Sequence, residues 1–384
     1  MIPKELIFEI FLCLSVEDLL RFRCFSKAFC QEIDSDAFMT AHLNRSKKTK
    51  THGKLVVYHN NGYSKDNGLY DFDDENEISL FGNRDGCFFM DGFDVYGSCN
   101  GLFLFYNNAT WLLLNPFTRT FDEVIRCPAK TRCYGQSLFG FGYDSINNDY
   151  KLVRIIEEEN HHYVKIWVFS FSSNTWRKQK VPFCHNKTFP SHNIFDNRSI
   201  YENRGLFADG ALHWLCEEID KGTGTVTVTH EIVTLDVSKE VFVNLVHSDS
   251  LSPSPCIGKA YLLVIGGSLA LLRHLDSNEL LELYLAVKCE EHYYTWTKLY
   301  DISSLELCHS SILTDPILRS MERSTNEILV PFKDIVAQRD FGGGLSWISF
   351  ISFCWETLVW PATHSSVLTE LLKLFQTWTH DQSC

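Results

Sequence analysis

The chain has 384 residues, 45% of them apolar and 22% charged, a composition that fits a folded globular protein and excludes wholesale disorder. Its net charge of −13 argues against nucleic acid as the main partner, because phosphate binding needs clustered Lys and Arg. Length alone suggests two or three domains, although large all-β units often run longer. The opening residues, Ile2-Pro3-Lys4-Glu5-Leu6-Ile7, start a helix: Pro3 is pre-set for a first turn and Glu5 suits the positive end of the dipole. Leu6, Ile7, Ile10, Phe11 and Leu14 then recur at helical spacing. Ser15, with Asp18 three places on, approaches a capping box and opens a second helix through Leu19, Leu20, Phe22 and Arg23. Ser26 can start a third, with Phe25, Phe29 and Ile33 apolar, and Ser35 a fourth, with Phe38, Met39 and Leu43. So small a unit cannot stand comfortably on its own core, so its apolar faces are expected to dock onto something else.

Ile2-Pro3, Leu6, Glu9-Ile10, Leu14, Asp18-Leu19-Leu20-Arg21 and Arg23-Cys24-Phe25-Ser26-Lys27 resemble, in order and spacing, the F-box. That motif binds the Skp adaptor of SCF (Skp–cullin–F-box) ubiquitin ligases. The resemblance implies an adaptor contact made by Ile2, Pro3, Leu6, Ile10, Leu14, Leu19, Leu20, Phe25 and Phe29. Two features depart from the family pattern: the chain begins almost on the motif, and Phe29 stands where Trp is usual. Phe fills most of that volume but cannot donate the indole N–H bond. An ordinary helical cap on the next domain would also account for these helices.

Asn44 to Gly53, with Arg45, Lys47, Lys48 and Lys50, reads as a polar connector. From Lys54 the character turns to β: Leu55-Val56-Val57-Tyr58 is a short strand before Asn60-Asn61-Gly62, a turn signal. Asp71 to Glu77 reads as a solvated acidic loop without the alternating ligands of a calcium site. Then a unit recurs: a Gly-led inner strand, an alternating strand, a turn, and a strand with Trp or Phe beside Thr. It is seen at Gly97–Phe105 with Trp111–Phe121, at Phe139–Ile155 with Val164–Arg177, at Asp209–Leu215 with Glu231–Asp236, and at Gly266–Leu272 with Leu281–Leu299. The interval of ~40–55 residues is close to that of β-propeller blades. Trp111, Trp167, Trp176, Trp214 and Trp296 lie in or beside these strands and are expected between blades.

Gly97-Ser98-Cys99-Asn100-Gly101-Leu102, Leu114-Asn115-Pro116-Phe117-Thr118-Arg119, Phe141-Gly142-Tyr143-Asp144, Tyr150-Lys151-Leu152-Val153, Asn174-Thr175-Trp176-Arg177 and Asp209-Gly210-Ala211-Leu212-His213-Trp214 resemble the plant F-box-associated domain. Trp355-Glu356-Thr357-Leu358 looks like a degraded form of its usual ending, and the likeness is nearest to the immune-regulating and S-locus pollen groups. Each segment also has a plain structural reading. Asn115 bonds within a Pro-started corner, Asp209-Gly210 is a turn, and His213 is a packed or hydrogen-bonded histidine. His161-His162 reads as a charged hairpin tip, and Gly342-Gly343-Gly344 lacks the Lys-Ser/Thr of a phosphate loop. No nucleophile elbow or zinc-protease motif occurs, so no catalytic residue is assigned.

The 14 cysteines are scattered without a Cys-x-x-Cys pair, which points to neither a metal site nor a disulfide framework. Glu5 and Glu9 interrupt the apolar opening, unlike a signal peptide. The expected setting is therefore cytoplasmic or nuclear, with reduced thiols, and the sequons at Asn44, Asn108, Asn186 and Asn197 are chance matches. The most apolar stretch, Leu345 to Trp360, contains Glu356 and is short for a bilayer span of ~20 residues, so it is read as core strands. Val367, Leu371, Leu374, Phe375 and Trp378 form a helical stripe in the tail, expected to pack on the rest or to meet a partner.

The sequence thus predicts an α+β multidomain protein. An F-box helical domain spans 1–43, a connector 44–53, a propeller-like β domain 54–360, and an amphipathic tail 361–384. The implied role is a non-catalytic adaptor of an SCF ligase, holding Skp and cullin at one end and a protein substrate at the other, without cofactor, metal, membrane or nucleic acid. Substrate contacts are expected in turns such as Tyr63–Gly68, Glu157–His162, Phe183–Asn197 and Glu217–Gly224. Two alternatives stay open. One is an F-box-like scaffold without ligase coupling, the other a propeller enzyme such as a glycosidase, which would need convergent carboxylates at one mouth.

Overall fold

The computed structural model describes residues 3–49, 51–59, 68–73, 76–82, 93–107, 110–124, 127–128, 137–157, 163–182, 204–220, 227–243, 246–247, 260–265, 268–275, 280–290, 293–303, 320–321 and 348–360. The tail stripe, His161-His162, Gly342-Gly343-Gly344, Ile2 and the 183–197 turn lie outside them. Four helices come first: α1 (Lys4–Phe11), α2 (Val16–Arg23), α3 (Lys27–Ile33) and α4 (Asp36–Thr49). The carbonyl of Pro3 accepts the N–H groups of Leu6 and Ile7, at 3.2 Å each. Three serines start the other helices. Ser15 accepts the Asp18 N–H at 3.2 Å, Ser26 that of Phe29 at 3.1 Å and Ser35 that of Phe38 at 3.2 Å.

α4 runs on to Thr49, through half of the expected connector. Its buried side runs through Phe38, His42, Leu43 and Ser46, so a polar histidine and serine share the inward face with apolar residues. Arg45 meanwhile reaches back to the Cys13 sulfur at 3.1 Å and to Glu9 at 3.4 Å.

The rest is β. Its strands are β1 (Gly53–His59), β2 (Gly68–Asp73), β3 (Asn76–Gly82), β4 (Asp94–Cys99), β5 (Leu102–Tyr106), β6 (Trp111–Asn115), β7 (Thr120–Val124), β8 (Ser137–Asp144), β9 (Asp149–Glu157), β10 (Tyr163–Ser170) and β11 (Thr175–Pro182). They continue with β12 (Arg204–Ala208), β13 (Ala211–Asp220), β14 (Thr227–Asp236), β15 (Val241–Val243), β16 (Val246–His247), β17 (Ala260–Ile265), β18 (Ser268–Leu275), β19 (Leu280–Glu290), β20 (Tyr293–Ser303), β21 (Ser320–Met321) and β22 (Ile348–Trp355). Among the described residues they build blade-like antiparallel groups in the orders β22-β1-β2-β3, β4-β5-β6-β7, β8 to β11, β12 to β15 and β17 to β20. The innermost strands neighbour one another: β22 lies beside β4, β4 beside β8, β8 beside β12 and β12 beside β17. This is a curled, propeller-like arrangement in which neighbouring blades cover each other's faces.

Three sequence expectations change. In the acidic stretch Asp71 to Glu77, Asp71–Asp73 and Asn76–Glu77 are strand and not loop, since β2 and β3 pair there, with Asp71 opposite Ile78 and Phe72 opposite Glu77. Tyr70 and Phe72 alternating with Asp71 and Asp73 are the period-2 signal that the charge concealed. Glu217 to Asp220 likewise belongs to β13, facing Thr227 to His230 of β14. Gly97, finally, does not lead an inner strand. Gly97-Ser98-Cys99 closes β4, and Asn100-Gly101 is a two-residue turn with φ of 53° and 78°. Asp209-Gly210 makes the same turn, at 50° and 81°, between β12 and β13. Two positive φ values match the twist of a hairpin, which is why Asn-Gly and Asp-Gly recur there.

Glycines do let inner strands crowd, at Gly140 of β8 and Gly205 of β12. These strands meet in parallel at Arg204–Phe139 and Gly205–Gly140, welding two blades together. The Trp214 indole lies against both glycines: a Cβ on Gly205 would fall 2.6 Å from its Cε2, and one on Gly140 3.0 Å from its Cζ2. Trp214 is fully buried and donates its Nε1–H to the Phe139 carbonyl at 3.0 Å. Trp111 and Trp296 are buried too, whereas Trp167 and Trp176 are only half-covered. The plain structural readings hold: Asn115 Oδ1 accepts the N–H groups of Phe117 and Thr118 at 3.0 and 3.3 Å. His213 donates from Nε2 to the Ala208 carbonyl and accepts from the Thr234 hydroxyl at Nδ1.

Trp214→Ala removes an indole wedged between blades and one buried hydrogen bond. The β domain should lose about 3–5 kcal/mol, read as a lower midpoint in urea unfolding followed by far-UV circular dichroism.

Candidate functional site

Helical periodicity divides the apolar residues of α1 between two sides. Phe11 and Leu12 turn inward and pack with Val16, Leu19, Ile33 and Phe38. Leu6 and Ile10, one turn apart, face outward at 55% and 52% exposure. Phe25, in the turn between α2 and α3, is 75% exposed. It leans on Phe22 with centroids 5.6 Å apart, Phe22 on Phe11 at 5.4 Å, and Phe11 meets Phe29 edge-on at 5.1 Å. A file of aromatic rings therefore runs from the exposed turn into the helical core, giving Phe25 a rigid footing.

The nine residues expected at the adaptor contact separate into groups. Pro3, Leu6, Ile10 and Phe25 are exposed, while Leu14, Leu20 and Phe29 are half-covered. Leu19 lies wholly inside, at 0% exposure, so it builds the core that presents the others and offers no surface itself. Ile2 falls outside the described residues. Charge frames this face: Arg21 pairs with Glu17 at 2.5 Å and Asp18 at 3.1 Å, both well exposed and so weak. Arg23 is more covered and forks onto Asp34, with Nη2 at 2.7 Å from Oδ2, tying the end of α2 to the end of α3.

Two further polar groups, missed in the sequence, hold the unit in shape. Glu356, from beyond β22, accepts the Val16 N–H at the start of α2 at 3.0 Å. His42 of α4 is buried and donates from Nε2 to the Leu14 carbonyl at 2.8 Å. His52 stacks on it with ring centroids 6.2 Å apart and donates to the Cys13 carbonyl at 3.1 Å. Burial pulls the His42 pKa below its ordinary value of 6.5, the Leu14 bond opposes this, and the nearby His52 adds to it. No sequence signal announces either group, since each contact joins residues far apart in the chain.

The proposed substrate-reading turns fall outside the described residues except where they abut strands, at Gly68, Glu157 and Glu217 to Asp220. Among the described residues no group of three or more His, Cys, Asp or Glu side chains could hold a metal ion. The most charged buried cluster, Asp144, Lys151 and Glu240, is mutually paired: Lys151 Nζ lies 2.7 Å from each carboxylate. No helix among them is long and apolar enough to cross a membrane.

Two family descriptions match the chain. The F-box domain covers residues 1–40, and the F-box associated beta propeller domain covers residues 79–333. The chain belongs to the F-box proteins that carry this associated propeller. Its F-box is the helical unit above, and such domains engage the Skp subunit of SCF complexes in a generally non-catalytic, adaptor capacity. Relatives in Arabidopsis thaliana include the F-box protein CPR1, 26% identical over 84% of this chain and 78% of the relative. The F-box protein At4g22390 is 26% identical over 84% of this chain and 79% of its own length. A putative F-box/kelch-repeat protein, At1g12870, is 24% identical over 81% and 74% respectively.

The buried His42 makes the F-box sensitive to acid. Above about pH 6.5 the ring is neutral whether the helices are folded or not. Below that the unfolded chain takes up a proton that the folded one resists, so stability falls by up to about 1.4 kcal/mol per pH unit until the folded-state value is passed. Hydrogen-exchange protection of α2 and α4 should therefore drop between neutral pH and pH 5, and His42→Gln should flatten the drop.

Proposed function

We propose that this chain is the substrate-recognition adaptor of an SCF ubiquitin ligase. Its F-box binds Skp through Pro3, Leu6, Ile10, Phe25 and the half-covered Leu14, Leu20 and Phe29, with Ile2 extending the contact. Skp links it to the cullin and the ubiquitin-charged enzyme, and the propeller captures a protein substrate for ubiquitination and degradation in the cytoplasm or nucleus. The observation that supports this reading is the exposure of Leu6, Ile10 and Phe25 on a unit whose other described large apolar side chains are buried or half-covered. Covering each would gain on the order of 1.5–3 kcal/mol, which is a rewarding surface for one partner and a liability without it.

The role needs no reactive group on this chain. Holding a substrate lysine near an activated ubiquitin turns an encounter between separate molecules into one within a complex, and orientation supplies the rate. The propeller suits this because its turns vary in length and charge without disturbing the blades. The segments 63–68, 157–162, 183–197 and 217–224, the last of which begins in β13, are assigned the reading of substrate, and exchanging them with a relative's should change which protein is captured. The F-box is taken as residues 1–49, since α4 ends there, and the propeller as 53–360.

Ile10→Asp with Phe25→Asp would set charges into the proposed contact while leaving the helical core alone. Co-purification with a plant Skp adaptor should be lost, with circular dichroism unchanged; retained binding would refute the assignment. Leu19→Asp is the control that unfolds the F-box instead, because it buries an unpaired charge. Phe29→Trp should bind the adaptor equally or more tightly, by regaining an indole donor and some apolar area.

A further inference from the structure

Residues 356–359, directly after β22, lie between the F-box and the β4–β7 blade. Their contacts alternate, as in an extended strand. Glu356 turns to the helices: its Oε2 accepts the Val16 N–H at 3.0 Å, while Oε1 lies 3.9 Å from Lys54 Nζ on β1. A carboxylate suits that place, where the first N–H groups of α2 lack partners within the helix. The Glu356 N–H in turn donates to the His52 carbonyl at 3.0 Å, in the connector itself. Thr357 turns to the blade. A Cβ added to Gly101, in the β4–β5 turn, would fall 2.7 Å from Thr357 Cγ2 and 2.5 Å from the Trp355 carbonyl oxygen. Leu358 returns to the helices and is buried in their core beside Phe11, Leu12 and Phe38. The Thr357 and Val359 carbonyls accept from Asn115 Nδ2 at 2.9 and 3.3 Å, and Val359 N–H donates to Thr357 Oγ1 at 3.0 Å. Phe117, from the Asn115 turn, packs against both the F-box core and the blade core. Lys47 of α4 adds a bond to Asn100 Oδ1 at 2.6 Å.

A single covalent connector lets two domains swing, and relative motion is the default unless the contact between them is extensive. Here the connector at 50–52 is joined by a second attachment some three hundred residues later in the chain, made on both faces of one short segment. We propose that residues 356–359 are a splint that locks the F-box to the propeller, with Glu356 as the positioning residue. A substrate held by the propeller is thereby presented to ubiquitin at one fixed orientation. The last step rests on the adaptor role proposed above; the rigidity itself does not.

The test measures orientation in the full chain. Spin labels attached through ketone-bearing unnatural residues at Ala28 and Ile146, both exposed, report the distance from F-box to propeller without touching the native thiols. The parent should give one narrow distribution. Glu356→Gln, which keeps an acceptor for Val16, should stay as narrow. Glu356→Ala with Leu358→Ser should broaden it about twofold or more; should circular dichroism show that this pair unfolds the propeller, Glu356→Ala alone takes its place. A narrow distribution in the loosened chain overturns the splint. With Skp, a cullin–RING module, the activating and conjugating enzymes, ATP and ubiquitin added, mass spectrometry of the chain's own modified lysines gives the second readout. The parent and Glu356→Gln should be modified at few sites and the loosened chain at many; an unchanged site map overturns the presentation step. A parent chain that fails to bind Skp sinks the adaptor reading instead and leaves the distance result standing by itself.

Discussion

The antiparallel pairing of β22 with β1, from Gly53–Trp355 to His59–Ile348, is the constraint on which the rest depends. It joins the two ends of the propeller, completes the first blade and delivers Glu356 and Leu358 to the helices. Bringing such distant segments together sounds expensive, but loop-closure entropy grows only with the logarithm of length, about 0.6 kcal/mol per doubling. The cost is more kinetic than thermodynamic. Non-local pairing must wait for the intervening blades, whereas the serine-capped helices are made from local contacts.

Between blades, the same problem of specifying a neighbour is met with buried charge. Lys151 on β9 bridges Asp144 and Glu240 and also donates to the Val237 carbonyl at 3.0 Å. Burial pushes the Asp144 carboxyl up, but bonds from Asn147, Lys151 and Ser238 outweigh it and hold the group well below its usual range. Its sharp turn is set by the same oxygens, since Oδ1 accepts the N–H groups of Ile146 and Asn147 at 3.0 and 3.1 Å. Glu240 meanwhile takes Arg177 from the outermost strand of the preceding blade. A buried pair of this kind is weak evidence for stability, but losing one member is costly. The cluster thus ties β8, β9 and β11 of one blade to the β14–β15 turn of the next.

Much of this was legible from residue types whose role is local. Ser15, Ser26 and Ser35 announce three helix starts, Asn115-Pro116 its corner and Asp209-Gly210 its hairpin, because each acts on backbone groups two or three residues away. Periodicity located the strands but misjudged charged segments: Asp71 and Asp73 masked β2, and α4 runs on past Leu43, its last buried apolar residue, to bury Ser46. The candidate site was half legible. The F-box pattern marks Leu6, Ile10, Leu19 and Phe25 alike as apolar, yet only three-dimensional packing separates Leu19, which is inside, from the others, which are not. The contact of Glu356 with the helices could not be read at all. A lone acid after an apolar strand says nothing until Val16, 340 residues away in sequence, is seen beside it.

That separation of inside from outside has a physical cause in the β domain. A helical unit of roughly 50 residues buries a small fraction of its surface and is marginal on its own. Here Leu358 and Phe117 reach in from the propeller and complete the core around Phe11, Leu12 and Phe38. With its interior supplied in part from elsewhere, the F-box keeps a packed core while Leu6, Ile10 and Phe25 stay exposed. The core that takes in Leu358 from the propeller also holds Phe11, the inner end of the file of rings whose outer end is the exposed Phe25.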